Sequence, residues 1–188
     1  QQILQTSHQH DAGTVQCLQL RGEYLYVAQG SQGVQVYDVA SIANKGVSQR
    51  IITAPVSPLG QDAQIATANA TCIALPAGQP VHPPRNEGDL MREDNQELPF
   101  HPIYNYAVVT DSEEGLILIN INTFADGEPR NNYLERALSW NPGGVLDGAR
   151  HVTVGGHMLY IAAAQGLVGV DLDKPLAPEL VAVVPMDG

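Results

Sequence analysis

Positive charge is scarce in this chain. Its 188 residues hold 9 Lys and Arg against 20 Asp and Glu, a net charge of −11. Only 15% of the residues are charged, where an average domain has roughly 25%. This deficit argues against nucleic acid or an anionic membrane surface as the partner. Two cysteines, Cys17 and Cys72, are too few for a disulfide scaffold. No apolar run approaches the roughly 18 residues of a membrane span, so no membrane insertion is expected. The opening QQILQTSHQH has neither the basic nor the apolar region of a signal peptide. Because the chain begins on Gln1, a processed product or a piece of something longer is expected, and the missing signal says nothing about compartment. Also missing are Cys-x-x-Cys-His, Gly-x-Ser-x-Gly, a P-loop and His-Glu-x-x-His. An enzyme is therefore the less favoured expectation, and no cofactor is implied beyond a divalent metal at the sites below.

What the chain does have is an internal repeat. Residues 24–39 read YLYVAQGSQGVQVYDV, residues 106–121 YAVVTDSEEGLILINI and residues 158–172 MLYIAAAQGLVGVDL. In each copy a glycine opens the second run (Gly33, Gly115, Gly166) and a polar residue follows five positions later (Asp38, Asn120, Asp171). Hydrophobic residues make up 44% of the chain, enough for a folded core. Around each copy, apolar runs bounded by turn residues predict short antiparallel strands in the order a–b–c–d. In the first unit the strands are expected at 15–20, 24–28, 33–39 and 49–54, with 55–69 as a connection. A further short strand is expected at 2–5. The fold class is all-β: four-stranded units recurring every 40–50 residues or so are the signature of propeller blades. Blades are expected at about 14–54, 70–139 and 149–185, in one domain or fragment spanning 1–188. Residues 76–103, rich in Pro and charge, interrupt the second blade between strands a and b.

The three units resemble the LVIVD-repeat β-propellers. Residues Gly166-Leu167, Val170-Asp171-Leu172, Pro175, Pro178 and Leu180-Val181 carry the resemblance best. The first two units lack the paired prolines, and the second has Asn120 in place of Asp. The resemblance implies a secreted, cell-surface or periplasmic setting. It implies little about activity, because propellers host unrelated functions. Three blades and a leading strand fall short of a ring of about four to eight. The expected partners are therefore a protein or the remaining blades of the same propeller, with a homo-oligomer if the chain is complete. The favoured function is a non-catalytic scaffold or interaction module; the alternative is a metal-dependent (Ca or Zn) hydrolase.

Four groups of residues are candidate sites. Aligned innermost strands place Cys17, Cys72 and His151 at equivalent positions. One sheet spacing, about 10 Å, would separate them, too far for a disulfide, which needs Cα atoms within about 7 Å. Core packing with both thiols free is the expectation. His8 and His10 fall on one side of an extended segment and, with Asp11, offer a divalent-metal site. The b–c turns and d–a loops would gather His8, His10, Asp11, Asp62, Asp111, Glu113, Glu114 and Asp147 on one face, an acidic rim able to bind Ca²⁺ or simply be solvated. On the opposite face, the insertion at 76–103 carries the apolar anchors Leu90, Met91, Leu98 and Phe100. These are expected to dock a protein partner, with a self-packing plug over the channel or a brace between blades as the rival role.

Overall fold

Each repeat unit folds as a four-stranded antiparallel meander in the computed structural model, which describes residues 14–39, 52–53, 63–77, 101–126 and 132–186. The first sheet runs β1 (Cys17–Arg21), β2 (Tyr24–Ala28), β3 (Val34–Asp38) and β4 (Ile52–Thr53), and β5 (Gln64–Ile65) also pairs with β3. The second is β6 (Ala70–Ala74), β7 (Tyr106–Asp111), β8 (Gly115–Asn120) and β9 (Glu135–Trp140). The third is β10 (His151–Gly155), β11 (Met158–Ala163), β12 (Gly166–Asp171) and β13 (Glu179–Val184). The all-β expectation and the strand order hold. The strand expected at 2–5 lies outside the described residues.

The outer strand of the first sheet departs from expectation. Thr53 pairs with Tyr37, but Gln64 and Ile65 pair with Gln35 and Val34. Val36 N–H, between them, donates to the Ala63 carbonyl. One outer strand is thus assembled from two pieces separated in sequence. Residues 63–65, expected in a connection, complete it because an unpaired β3 edge would leave backbone groups unsatisfied.

The repeated glycines and polar residues have local causes. Gly33, Gly115 and Gly166 all have positive φ (77°, 84° and 120°). A Cβ would lie 2.0 Å from the Ile65 carbonyl oxygen at Gly33, 3.0 Å from that of Trp140 at Gly115, and 2.2 Å from that of Val184 at Gly166. The outer strand crosses each glycine at backbone contact, so no side chain fits. Asn120 and Asp171 each accept the backbone N–H two residues on (3.0 and 2.7 Å), the Asx turn that ends the third strand.

Two apolar cores flank the middle sheet. One, with Tyr26, Val36, Ile73, Val109 and Ile117, lies toward the first sheet. The other, with Val108, Leu118, Leu146, Leu159 and Ile161, lies toward the third. Side chains alternate across a strand, so β8 contributes to both cores, and Leu116 to Ile119 are all completely buried. Phe124 at the end of the second sheet stacks edge-on against Tyr24 at 5.1 Å, closing one core. The innermost strand β6 touches both β1 and β10.

Candidate functional site

The three innermost strands converge on one cluster. Cys17 opens β1, Cys72 is central in β6, and His151 opens β10. The sulfurs of Cys17 and Cys72 are 2.7 Å apart, and Cys72 Sγ is 3.3 Å from His151 Nδ1. The expected separation of about one sheet spacing is therefore wrong. That spacing applies to parallel stacked faces, whereas these sheets draw together at their innermost strands. The Ile73 N–H donates to Cys17 Sγ at 3.3 Å, seating that sulfur on the inner edge of β6. Both cysteines are free thiols, Cys17 half-buried and Cys72 buried. Burial, reinforced by the contact with Cys17, pushes the Cys72 thiol up to about 11.

On the face of the b–c turns, three described carboxylates are already engaged. Asp111 accepts backbone N–H groups from Asn69 (2.6 Å), Glu113 and Glu114 (both 2.9 Å). Burial acts to raise its carboxyl, but these hydrogen bonds outweigh burial and hold it below the ordinary value. Glu114 accepts from Ala68 N–H and pairs with Arg136, and Asp147 accepts from Asn141 Nδ2 at 2.8 Å. These three serve loop architecture rather than an open cation rim. Asp62, His8, His10 and Asp11 lie outside the described residues.

The opposite face holds the roots of the insertion. Arg21, at the end of β1, donates to the carbonyls of Pro76 (2.7 Å), the first residue of the insertion, and Tyr104 (3.2 Å), which follows its last. Burial lowers the Arg21 guanidinium. His101 is buried and precedes a short 3-10 turn at Pro102–Asn105, whose Ile103 fills the core. Its Nε2 is 3.4 Å from Asp173 Oδ1 in the third sheet's c–d loop. The insertion is thus rooted to the first sheet through Arg21 and to the third through His101.

His101, His157 and Asp173 bring one ligand atom each within 4.8 Å of one another. The two imidazoles stack at 5.7 Å with 15° between planes, and His157 Nε2 lies 3.8 Å from Asp171 Oδ1. A pocket of about 80 Å³ adjoins them, lined by Asp171, Asp173, Lys174, Ala177 and Glu179. The donor set suits a divalent metal, but the tautomer does not. His101 Nδ1 accepts the Ile103 N–H at 3.1 Å, which leaves the proton on Nε2. That nitrogen donates to Asp173 instead of offering a lone pair.

Leu90, Met91, Leu98 and Phe100 lie outside the described residues. Sequence reasoning missed His157, Asp171 and Asp173 as neighbours of His101. The available signal was the repeat itself, which puts the third unit's a–b turn and c–d loop on the same face as the insertion.

No curated protein matches the chain. The LVIVD repeat family model matches residues 12–46 and 148–184, the stretches that build β1 to β3 of the first sheet and all of the third, so that the three-sheet array is propeller-like.

Proposed function

We propose that the chain is a scaffold module of a larger secreted or cell-surface assembly, an arc of blades whose two end sheets dock onto further blades of the same kind. One observation carries this: large apolar side chains stand exposed on both end sheets. On the first these are Leu18 and Leu20; on the third, Tyr160, Leu180, Val181 and Val184. Leu20 is 61% exposed and Val181 58%. On the side that faces the middle sheet, Tyr26 and Val36 of the first sheet and Leu159, Ile161, Val168 and Val170 of the third are buried, so an uncovered blade face is the natural complement of another. Uncovered apolar surface of this kind marks an interaction site. Rings of about four to eight blades satisfy such faces by closing on themselves.

The insertion is the second contact element in this proposal. Arg21 and His101 hold its two roots against neighbouring sheets, and Leu90, Met91, Leu98 and Phe100 between them are the residues we assign to a protein partner.

Sedimentation of the chain tests the docking of end sheets. Association should be evident and should weaken at least tenfold in Leu20→Glu and in Val181→Glu. A chain that stays monomeric at high micromolar concentration, or variants that associate as the parent does, would overturn it.

A further inference from the structure

We propose that Cys17 and Cys72 are a redox dithiol that closes into a disulfide, tying the innermost strand of the first sheet to that of the second, with His151 taking the Cys72 proton. These 188 residues hold two cysteines, so no other pairing within them competes. They lie 55 residues apart in sequence and 2.7 Å apart at sulfur. A sulfur–sulfur bond of about 2.05 Å requires a small further approach. Zinc, with bonds of about 2.3 Å to each sulfur in tetrahedral array, would require the two to move apart. The Ile73 N–H holds Cys17 Sγ from the other side, so the pair is already oriented.

Accessibility orders the chemistry. Cys17 is half-buried and can meet a small-molecule disulfide, whereas Cys72 is 2% exposed and cannot. The Cys17 thiolate attacks one sulfur of that disulfide; a mixed disulfide forms on Cys17 and one small thiolate leaves. The Cys72 proton then passes to His151 Nδ1, 3.3 Å away. The Cys72 sulfur attacks Cys17 Sγ, the second small thiol is expelled, and the Cys17–Cys72 bond is complete. One external disulfide is consumed, two thiols are released and one protein disulfide forms, so electrons and protons balance. His151 is solvent-exposed and returns its proton to water. The buried thiol needs such a base, since burial holds it protonated at neutral pH. This proposal is independent of what docks on the end sheets.

The test uses the reduced full chain, desalted and incubated with oxidised glutathione, then digested without reductant for peptide mapping. The expected product is a single cross-linked peptide pair joining positions 17 and 72, with two titratable thiols falling to none. The melting temperature should rise by roughly 10 °C over the reduced form. Cys72→Ser should stop at one glutathione adduct on Cys17, and Cys17→Ser should react at least tenfold more slowly. His151→Gln should slow ring closure at neutral pH by about tenfold while still yielding the cross-link. Unreacted thiols, a stable adduct on each cysteine, cross-links only between chains, or a reduced chain retaining one equivalent of zinc would overturn the dithiol. A His151→Gln rate equal to that of the parent would overturn the role given to His151.

Discussion

The middle sheet and the two end sheets are built from nearly the same sequence pattern, yet they meet different surroundings. In the middle sheet, Leu116, Ile117, Leu118 and Ile119 are all fully buried, because a sheet lies against each face. In the third sheet, β11 alternates: Leu159, Ile161 and Ala163 are buried while Tyr160 is 47% exposed. Its outer strand β13 exposes Leu180, Val181 and Val184. Nothing local to LILI of β8 or LYIA of β11 separates these fates. What differs is the number of neighbouring sheets. A sequence written for burial on both faces, placed where one face is open, points to a missing neighbour, and this is the ground for the scaffold reading.

The largest expected effect comes from cutting into the doubly buried strand. Leu118→Ala should cost about 3–4 kcal/mol in denaturant unfolding, whereas Leu180→Ala should cost under about 1 kcal/mol. Equal costs would break the contrast between middle and end sheets. Next come the repeated glycines, which should ignore that contrast, because the atoms that crowd them belong to their own sheet. Gly115→Ala and Gly166→Ala should each cost about 2–3 kcal/mol. Gly156→Ala, in a turn with open space around it, should cost about 1 kcal/mol. If Gly166→Ala were as mild as Gly156→Ala, the close crossing of the outer strand would be wrong.

Asp111 gives a smaller effect with a pH signature. Asp111→Asn keeps an acceptor for the turn but turns an amide donor toward a backbone N–H, and should cost about 1–2 kcal/mol at neutral pH. The Asp111 carboxyl is held low in the folded chain. Its contribution is therefore present in full above the unfolded value of about 4 and is lost as pH falls through the lower folded value. The variant should show a shallower loss of stability on acidification; parallel curves would sink this assignment. Smallest of all on stability is Val181→Ser, within about 0.5 kcal/mol, although it should weaken association measured by sedimentation.

Much of the fold was legible from local pattern. The glycines at 33, 115 and 166 and the polar residues at 38, 120 and 171 marked equivalent turns. In the structure those glycines sit under a crossing strand, and Asn120 and Asp171 cap Asx turns. The split outer strand was not legible: β5 joins β3 through a pairing between segments distant in sequence, and Gln64-Ile65 carries no period to announce it. The engagement of the rim carboxylates was not legible for a related reason. A carboxylate in a turn reads the same whether solvated or, like Asp111, consumed by three backbone N–H groups.

The two clusters divide along the same line. Alignment alone identified Cys17, Cys72 and His151 as equivalent positions in three successive units. It could not supply their separation, because alignment carries register along strands and not the angle between sheets. By itself the sequence determined strands, turns and repeat order, since these follow from side-chain alternation and backbone conformations within a few residues. Tertiary structure alone decided that the inner strands converge until two sulfurs stand 2.7 Å apart, that His101 reaches Asp173, and that β8 is covered on both faces while β11 keeps one face open. Each of these depends on how whole sheets pack, a property of the summed apolar faces that no single stretch contains.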